Sequence, residues 1–256
     1  MSHALAPFLS LFRECAQALT LLSRLPLGRL APSGPPSARV MWAFPLVGLI
    51  LGGLAGAVYA LAAWFGLSPW LAAAWALAAG MLLSGALHED GVADAADGLG
   101  AEGSAERRLA ILHDPRAGNY AVLALILSVV IRLAALAAIA SPSAAAKALT
   151  IAGIAGRTAM IGLPLLLLPA RTSGLGAALG APGKGVALAA FALGLGLLAA
   201  LLSPALLFRV GLASGLGLAV VAFAAKRRLG GYTGDIYGAV EQAAECLTLT
   251  VLAAAG

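Results

Sequence analysis

The sequence predicts an all-α fold, a polytopic membrane helix bundle of about seven transmembrane helices preceded by an N-terminal amphipathic helix. Hydrophobic residues make up 61% of the 256 residues and charged residues only 11%, whereas about a quarter of the residues in a soluble globular domain are charged. The mean hydropathy is +0.97, and the apolar residues form repeated stretches long enough to cross a bilayer. So few charges cannot cover a water-exposed surface, which excludes an ordinary soluble domain.

One integral membrane domain is predicted for residues 1–256. Residues 1–40 are expected to form an interfacial segment and a cytoplasmic loop, and residues 8–24 within them a short amphipathic helix. The transmembrane bundle follows over residues 41–254. Six of its apolar stretches have spanning length, at residues 41–65, 70–88, 119–140, 146–169, 185–203 and 205–225. A seventh stretch, residues 235–254, carries acidic residues and completes the predicted bundle.

The basic residues predict how these helices are oriented. The chain has 16 Lys and Arg residues and a formal net charge of +5. If the N-terminal segment is cytoplasmic, 12 of them fall in cytoplasmic loops, three in or near spans, and only Lys147 on the other side. Because Lys and Arg gather in cytoplasmic loops, we expect a multi-pass protein of the bacterial inner membrane. Residues 89–118, 170–184 and 226–234 would then place an active site on the cytoplasmic side.

These basic residues do not predict a nucleic acid partner. They are dispersed among short loops, without a basic patch in which aromatic residues are interleaved. The lipid bilayer is the expected partner surface. The oligomeric state stays open, with a homo-oligomer as one alternative.

Residues 88–98 concentrate four of the chain's eleven acidic residues: Glu89, Asp90, Asp94 and Asp97. If this segment continues the preceding apolar helix, the three aspartates at i, i+4 and i+7 share one face within an arc of roughly 60°. Like charges at this spacing repel one another, and a hard divalent cation relieves the repulsion. The four carboxylates are therefore predicted metal ligands. A solvated acidic loop is the alternative.

A turn of the type Asp-Pro-Arg-x-Gly follows at residues 114–118. It places the planar cation of Arg116 beside Gly118, which suits a phosphate oxygen. Simple charge balance would by itself explain the neighbouring Arg107 and Arg108.

Arg157 lies well inside a predicted span and has two interpretations. It binds substrate, or it pairs with a carboxylate such as Glu241 or one of the acidic segment. Arg132, which lacks a surrounding motif, is expected to be structural.

A glycine-rich cluster at residues 230–238 is predicted to reach the same face of the membrane. Its glycines let the backbone approach a ligand closely, and Thr233 and Asp235 stand where a helix begins. Asp235 is either an N-cap, a further metal ligand or a general base. The glycine-rich stretch 172–185 lacks the spacing of a nucleotide-binding loop and is expected to be a flexible linker.

Carboxylates, arginines and glycine-rich turns at one membrane face suit chemistry on a pyrophosphate. A metal bridges phosphate oxygens and neutralises the leaving group, while a carboxylate or histidine accepts the proton of the attacking hydroxyl. His88 is the weaker candidate, because the helix phase turns it away from the aspartate face. The predicted catalytic residues are Asp90, Asp94, Asp97, Asp235 and His88.

Several ordered motifs of this chain resemble the cobalamin synthase family, also called adenosylcobinamide-GDP ribazoletransferase. The resemblance extends from residue 24 to about residue 245. Its motifs are Arg24-Leu25-Pro26, Phe44-Pro45-Leu46-Val47-Gly48, His88-x-Asp90-Gly91-x-Ala93-Asp94-x-x-Asp97-Gly98, Asp114-x-Arg116-x-Gly118 and Gly230-Gly231-x-Thr233-Gly234-Asp235-x-x-Gly238-Ala239. One departure is His113, where the family usually carries Lys.

The resemblance implies a Mg²⁺-dependent membrane enzyme that completes the nucleotide loop of cobalamin. Adenosylcobinamide-GDP would supply the phosphoryl group, the 3′-hydroxyl of α-ribazole or of its 5′-phosphate would attack, and GMP would leave. The residues expected to bind these substrates are Arg24, Asp114, Arg116, Gly118, Arg157, Thr233 and Gly234.

Two other functions remain as alternatives. A CDP-alcohol phosphotransferase has a related pattern, but Asp94 stands where that pattern has Arg, and its longer spacing to the later aspartates is absent. A divalent-cation transporter would place carboxylates near the bilayer midplane, whereas these lie at a predicted helix end.

Overall fold

The computed structural model describes residues 2–31, 34, 36–139 and 141–255. Met1, residues 32, 33 and 35 of the predicted N-terminal segment, Ala140 of the predicted 119–140 span, and Gly256 lie outside the described residues. Eleven α-helices are described, with a 3₁₀-helix at Ala38–Ala43: α1 Ser2–Leu22, α2 Phe44–Trp64, α3 Pro69–Ser84, α4 Leu87–Gly100, α5 Ala105–Ile111, α6 Asn119–Ala138, α7 Pro142–Leu166, α8 Leu175–Leu179, α9 Lys184–Leu201, α10 Pro204–Leu229 and α11 Gly234–Ala253.

The predicted membrane helix bundle is confirmed, although the count of seven spans is not. Among the described residues, five helical segments are long and apolar enough to cross a membrane: α2 with its preceding 3₁₀ turn, α6, α7, α9 and α10. The pair α3 and α4 passes the same test only together, and its two halves meet at 88°. α11, with Glu241 and Glu245, is not among the five. α1 is not among them either, as expected of an amphipathic segment, and it begins earlier than predicted.

The acidic segment forms a helix of its own, instead of continuing the preceding apolar helix as the shared-face prediction supposed. α3 ends at Gly85, whose φ of 67° is left-handed, and Ala86 repeats this conformation with φ of 56°. Two left-handed residues in succession stop the helix and turn the chain, and the second of them carries a steric cost because alanine has a Cβ atom. Asp90, Asp94 and Asp97 nevertheless share one helix, α4, and keep their i, i+4, i+7 spacing.

Direct backbone contact between α2 and α7 forms the centre of the bundle. A methyl group on Gly52 would lie 2.6 Å from the carbonyl oxygen of Leu149, and one on Gly153 would lie 2.6 Å from that of Gly48. Small residues at such crossings let membrane helices approach closely where lipid offers no hydrophobic drive to association. α7 is accordingly the most buried of the five candidate spans.

Candidate active site

The two polar motifs meet where α4 crosses α11. A methyl group on Gly91 would lie 2.9 Å from the carbonyl oxygen of Asp235 and 3.0 Å from the Cα of Gly238. A methyl group on Gly238 would in turn lie 3.0 Å from the carbonyl oxygen of His88. Only glycine on both helices permits this approach. The prediction that Asp235 reaches the acidic segment across the bundle is therefore confirmed by the backbone itself.

An open cleft of about 570 Å³ lies between α4 and the loop that precedes α6. Asp90 and Asp94 line it from α4, and His113 and Asp114 line it from the opposite loop. We call it the acidic cleft. The carboxylates of Asp90, Asp235 and Asp97 all act on Asp94 as like charges. The cleft therefore has the electrostatic character of a cation site.

A second cavity, of about 250 Å³, lies on the α11 side of Asp90 and shares Asp90 and His113 with the acidic cleft. Its polar wall also contains His88, Arg171 and Asp235. The opposite wall is apolar, and its residues include Leu21, Leu22, Phe44, Leu87, Met160, Leu175 and Leu179. We call it the amphipathic cavity. It suits a ligand with a flat apolar ring and a polar edge.

Asp235 is not the N-cap of α11, because that position belongs to Thr233. The hydroxyl of Thr233 donates to Asp235 Oδ2 at 3.0 Å, and the Arg171 Nη2 lies 3.5 Å from the same oxygen. Gly234 lines the amphipathic cavity beside Asp235. The predicted residues of the glycine-rich cluster are thus brought to one wall of the site.

Asp97 has a different environment from the other two aspartates of α4. Its carboxylate accepts hydrogen bonds from the backbone N–H groups of Gly118, at 2.6 Å, and Ala121, at 2.9 Å. A methyl group on Gly118 would lie 2.7 Å from Asp97 Oδ1. Both carboxylate oxygens are thereby engaged at the first turn of α6, and Gly118 is required for that contact.

Arg116 and Asp114 form an ion pair with each other. The Arg116 Nε and Nη2 donate to the two oxygens of Asp114 at 2.9 and 2.8 Å. These hydrogen bonds lower the pKa of the Asp114 carboxyl to about 2. The Arg116 side chain is 86% exposed and does not line the acidic cleft, whereas Asp114 does. Phosphate binding by Arg116 stays a prediction that requires this pair to open.

Arg157, expected to bind substrate, lies away from the cleft in a buried network of charged and amide side chains, and Glu89, which lines the cleft, is paired within the same network. Arg157 Nη1 donates to Glu241 at 2.6 Å and to Glu245 at 3.2 Å. Both terminal guanidinium nitrogens of Arg132, Nη1 and Nη2, donate to Glu89 at 3.2 Å. The network consists of Glu89, Arg132, Arg157, Glu241, Gln242 and Glu245, around a cavity of about 40 Å³. Structural pairing, which was the alternative for Arg157 and the expectation for Arg132, explains both arginines.

His88 and Arg24 both lie off the acidic cleft, as the helix phase predicted for His88. His88 is 2% exposed and lies in the wall between the buried network and the amphipathic cavity. Its Nε2 has no hydrogen-bond partner within the described ranges. Arg24 donates its backbone N–H to Leu83 at 2.7 Å and packs its side chain against the Gly85 turn. Arg24 lines neither the cleft nor the amphipathic cavity.

The carboxylates of α4 fit a metal ion in one particular way. In the part of the chain that the structure describes, no group of three or more His, Cys, Asp or Glu side chains is placed to hold a metal ion. Asp97 is occupied by backbone N–H groups and Glu89 by Arg132, so Asp90 and Asp94 are the carboxylates that remain for a cation. Mg²⁺ is commonly held by one or two carboxylates together with substrate phosphates, and this donor set fits that pattern.

Sequence reasoning missed Arg171 and mistook the segment after it for a flexible linker. Residues 175–179 form the short helix α8, and a methyl group on Gly176 would lie 3.0 Å from the backbone of Thr233 and Gly234. Arg171, Leu175 and Leu179 line the amphipathic cavity. The one available signal was the predicted topology, which already placed this loop on the same membrane face as the acidic segment.

Comparison with known proteins gives a consistent result. The model of the cobalamin-5-phosphate synthase family matches residues 14–253. A relative from Bradyrhizobium diazoefficiens, named adenosylcobinamide-GDP ribazoletransferase, is 47% identical and covers 93% of this chain and 92% of its own. Relatives of the same name from Rhizobium etli and Mesorhizobium japonicum are 42% and 39% identical, each over 94% of this chain and over 96% and 93% of their own lengths.

No solved structure matches the chain. The family match covers nearly the whole bundle and includes α4, the Arg116 turn and the glycine-rich start of α11. This chain belongs to the cobalamin-5-phosphate synthase family.

Proposed function

We propose that this protein joins adenosylcobinamide-GDP to α-ribazole or its 5′-phosphate, releasing GMP and forming adenosylcobalamin or its 5′-phosphate. The names of the relatives support this activity. The structural observation that carries it is the glycine crossing of α4 and α11. That crossing places Asp235, which is paired with Arg171, beside Asp90 and Asp94, the two carboxylates of α4 that remain for a cation. Asp90 lines both cavities, so these carboxylates lie where the two cavities join.

Each cavity has a role in this proposal. The acidic cleft receives the diphosphate of the donor, and Asp90 and Asp94 would hold Mg²⁺ there. When bound, Mg²⁺ neutralises charge on the diphosphate and on the departing GMP. The amphipathic cavity receives the acceptor, because the flat apolar base of a ribazole matches its apolar wall and the ribose hydroxyls match its polar wall.

Asp235 acts as the general base. It accepts the proton of the attacking hydroxyl while the new bond from that oxygen to phosphorus forms and the bond from phosphorus to the GMP oxygen breaks. The alternative base, His88, is buried and does not line the acidic cleft. Asp97 and Thr233 support the site by fixing the start of α6 and the carboxylate of Asp235.

The bilayer environment and orientation are part of the same proposal. Lys226, Arg227 and Arg228 in the last turn of α10 lie next to the glycine-rich start of α11. This agrees with a cytoplasmic active site in the inner membrane, since basic residues gather on that side. Neither a CDP-alcohol phosphotransferase nor a cation transporter is favoured by the family membership.

A reconstituted assay tests the activity directly. Purified protein in liposomes is given adenosylcobinamide-GDP and α-ribazole, with and without Mg²⁺, and GMP is quantified by chromatography. We expect stoichiometric GMP and cobalamin, dependent on both the acceptor and Mg²⁺. GMP release without acceptor, or none with both substrates and Mg²⁺, would reject the proposed reaction.

A further inference from the structure

Arg171 is placed at the site by a rigid backbone connection. The Ala170 N–H donates to the Tyr232 carbonyl at 2.8 Å, and the Tyr232 N–H donates to the Leu168 carbonyl at 3.0 Å. A side chain on Gly231 would collide with the Leu168 carbonyl oxygen. The loop that carries Arg171 is therefore fixed to the glycine-rich cluster independently of any contact that the guanidinium makes.

The guanidinium itself bridges two elements of the site. Its Nη2 lies 3.5 Å from Asp235 Oδ2, and its Nη1 contacts the His113 Nε2. The side chain is only 19% exposed. A distance of 3.5 Å is at the limit of a hydrogen bond, so the pair with Asp235 is looser than the Arg157–Glu241 pair of the buried network, which measures 2.6 Å.

Arg171 is also the only Lys or Arg among the described residues that line the amphipathic cavity. The same lining contains the carboxylates of Asp90 and Asp235. A phosphate group that approaches from this side meets two negative charges, and Arg171 is the cation available to it. A guanidinium binds phosphate oxygens through two parallel N–H bonds, which a single loose carboxylate contact does not match.

We propose that Arg171 is a substrate-binding residue that leaves Asp235 for a phosphate group of the substrate. The exchange has a consequence for the reaction. Asp235 Oδ2 loses its contact with Arg171 when the phosphate arrives, so the guanidinium leaves this oxygen only once substrate is bound. This inference rests on the proposed function and assigns it a phosphate contact and an order of events.

The phosphate has two sources, the diphosphate of the donor and the 5′-phosphate of the acceptor. Kinetics with Arg171→Met and Arg171→Lys distinguish them. If Arg171 binds the diphosphate, KM for adenosylcobinamide-GDP rises about 10- to 100-fold with either acceptor. If it binds the acceptor, KM rises for ribazole 5′-phosphate and not for α-ribazole. Lys should recover part of the loss in Arg171→Met, because it keeps the charge and lacks the planar fork.

Controls separate this role from a structural one. Arg228→Met removes an exposed cation of the same membrane face and should leave every KM within twofold of the wild type. Binding of GDP and of ribazole 5′-phosphate to the wild type and Arg171→Met, measured by calorimetry in detergent, gives a readout that does not depend on turnover. If the wild type turns over no substrate, the proposed function fails, and the calorimetry still decides the role of Arg171. Unchanged affinity for both probes in Arg171→Met overturns the inference.

Discussion

The carboxylate of Asp97 on α4 accepts the N–H of Gly118, 21 residues later, and so caps the first turn of α6 from another helix. A second hydrogen bond, from Ala121, completes the cap. Gly118 has no side chain that could cap α6. An acid that its spacing predicted as a metal ligand thus couples the acidic helix to the following span.

This cap predicts that the main role of Asp97 is to stabilise the fold, and that its part in the reaction is secondary. Asp97→Ala should lower the free energy of unfolding by about 1–2 kcal/mol, because two N–H groups lose their acceptor. Gly118→Ala should act similarly, since its methyl group displaces the carboxylate. Thermal unfolding in detergent measures both. If the two variants unfold like the wild type while their Mg²⁺ requirement rises, Asp97 is a metal ligand instead.

Asp90 and Asp94 should show the opposite behaviour. Asp94→Asn relieves the repulsion among the carboxylates of the cleft and should leave the protein at least as stable, while turnover falls about 10²-fold or more. GMP release is measured across a Mg²⁺ titration. Glu102→Gln, an exposed acid beyond the end of α4, is the matched control. Near-normal rates for Asp90→Asn and Asp94→Asn at limiting Mg²⁺ would show that these two carboxylates do not hold the metal.

The glycine crossing predicts a sharp contrast between glycines. Gly91→Ala and Gly238→Ala should each cost about 1–3 kcal/mol of stability through overpacking and should also reduce turnover, because α11 moves away with Asp235. Gly53→Ala serves as control, since its methyl group would meet nothing within 4 Å. Equal effects of Gly53→Ala and Gly91→Ala on turnover would contradict this account of the crossing.

The Arg116–Asp114 pair predicts a particular pH behaviour. Because the pKa of Asp114 is lowered to about 2, the charged form of the pair persists above that pH and is lost only as the pH falls through it. Asp114→Asn should therefore leave the acid limb of the pH–rate profile between pH 5 and 7 unmoved. If Arg116 binds the diphosphate, Arg116→Lys raises KM for the donor and Asp114→Asn, which frees Arg116, does not. An unchanged donor KM in Arg116→Lys would mean that Arg116 does not bind the diphosphate and only forms a surface ion pair with Asp114.

The predicted orientation can be read by cysteine labelling. Cys15 and Cys246 are first replaced by Ser and Ala, and a single cysteine is introduced at Ser104 or at Ser68. An impermeant maleimide added to intact cells should label the Ser68 variant, before α3, and spare the Ser104 variant, before α5. Labelling at Ser104 would place the acidic cleft on the outer side of the membrane.

Residue types and spacing were sufficient to predict the helical membrane bundle and the meeting of Asp235 with the acidic segment. The bundle follows from composition, since so few charged residues cannot cover a surface that is exposed to water. The meeting of Asp235 with the acidic segment follows from topology, which returns residues 226–234 to the membrane face that carries α4. Asp90 and Asp94 lie on the cleft as their periodicity predicted.

The partners of individual charges were beyond such reasoning. Periodicity places Glu89 one residue from Asp90 without indicating that this side of α4 faces Arg132. The bend at Gly85 and Ala86 depends on a left-handed alanine, which no propensity anticipates. The sequence indicated only that Arg171 is a basic residue of a cytoplasmic loop, because its place at the site depends on a long-range contact between residues 168–170 and Tyr232.

The buried network also constrains how the protein is made. Arg157 enters the bilayer with α7, yet both of its carboxylate partners, Glu241 and Glu245, belong to α11, which is synthesised later. Arg132 on α6 can already pair with Glu89 of α4 when it is inserted. An unpaired arginine at the centre of a membrane helix costs about 2.5–3.5 kcal/mol on insertion scales. Until α11 is inserted, the nascent chain therefore holds an uncompensated cation in lipid.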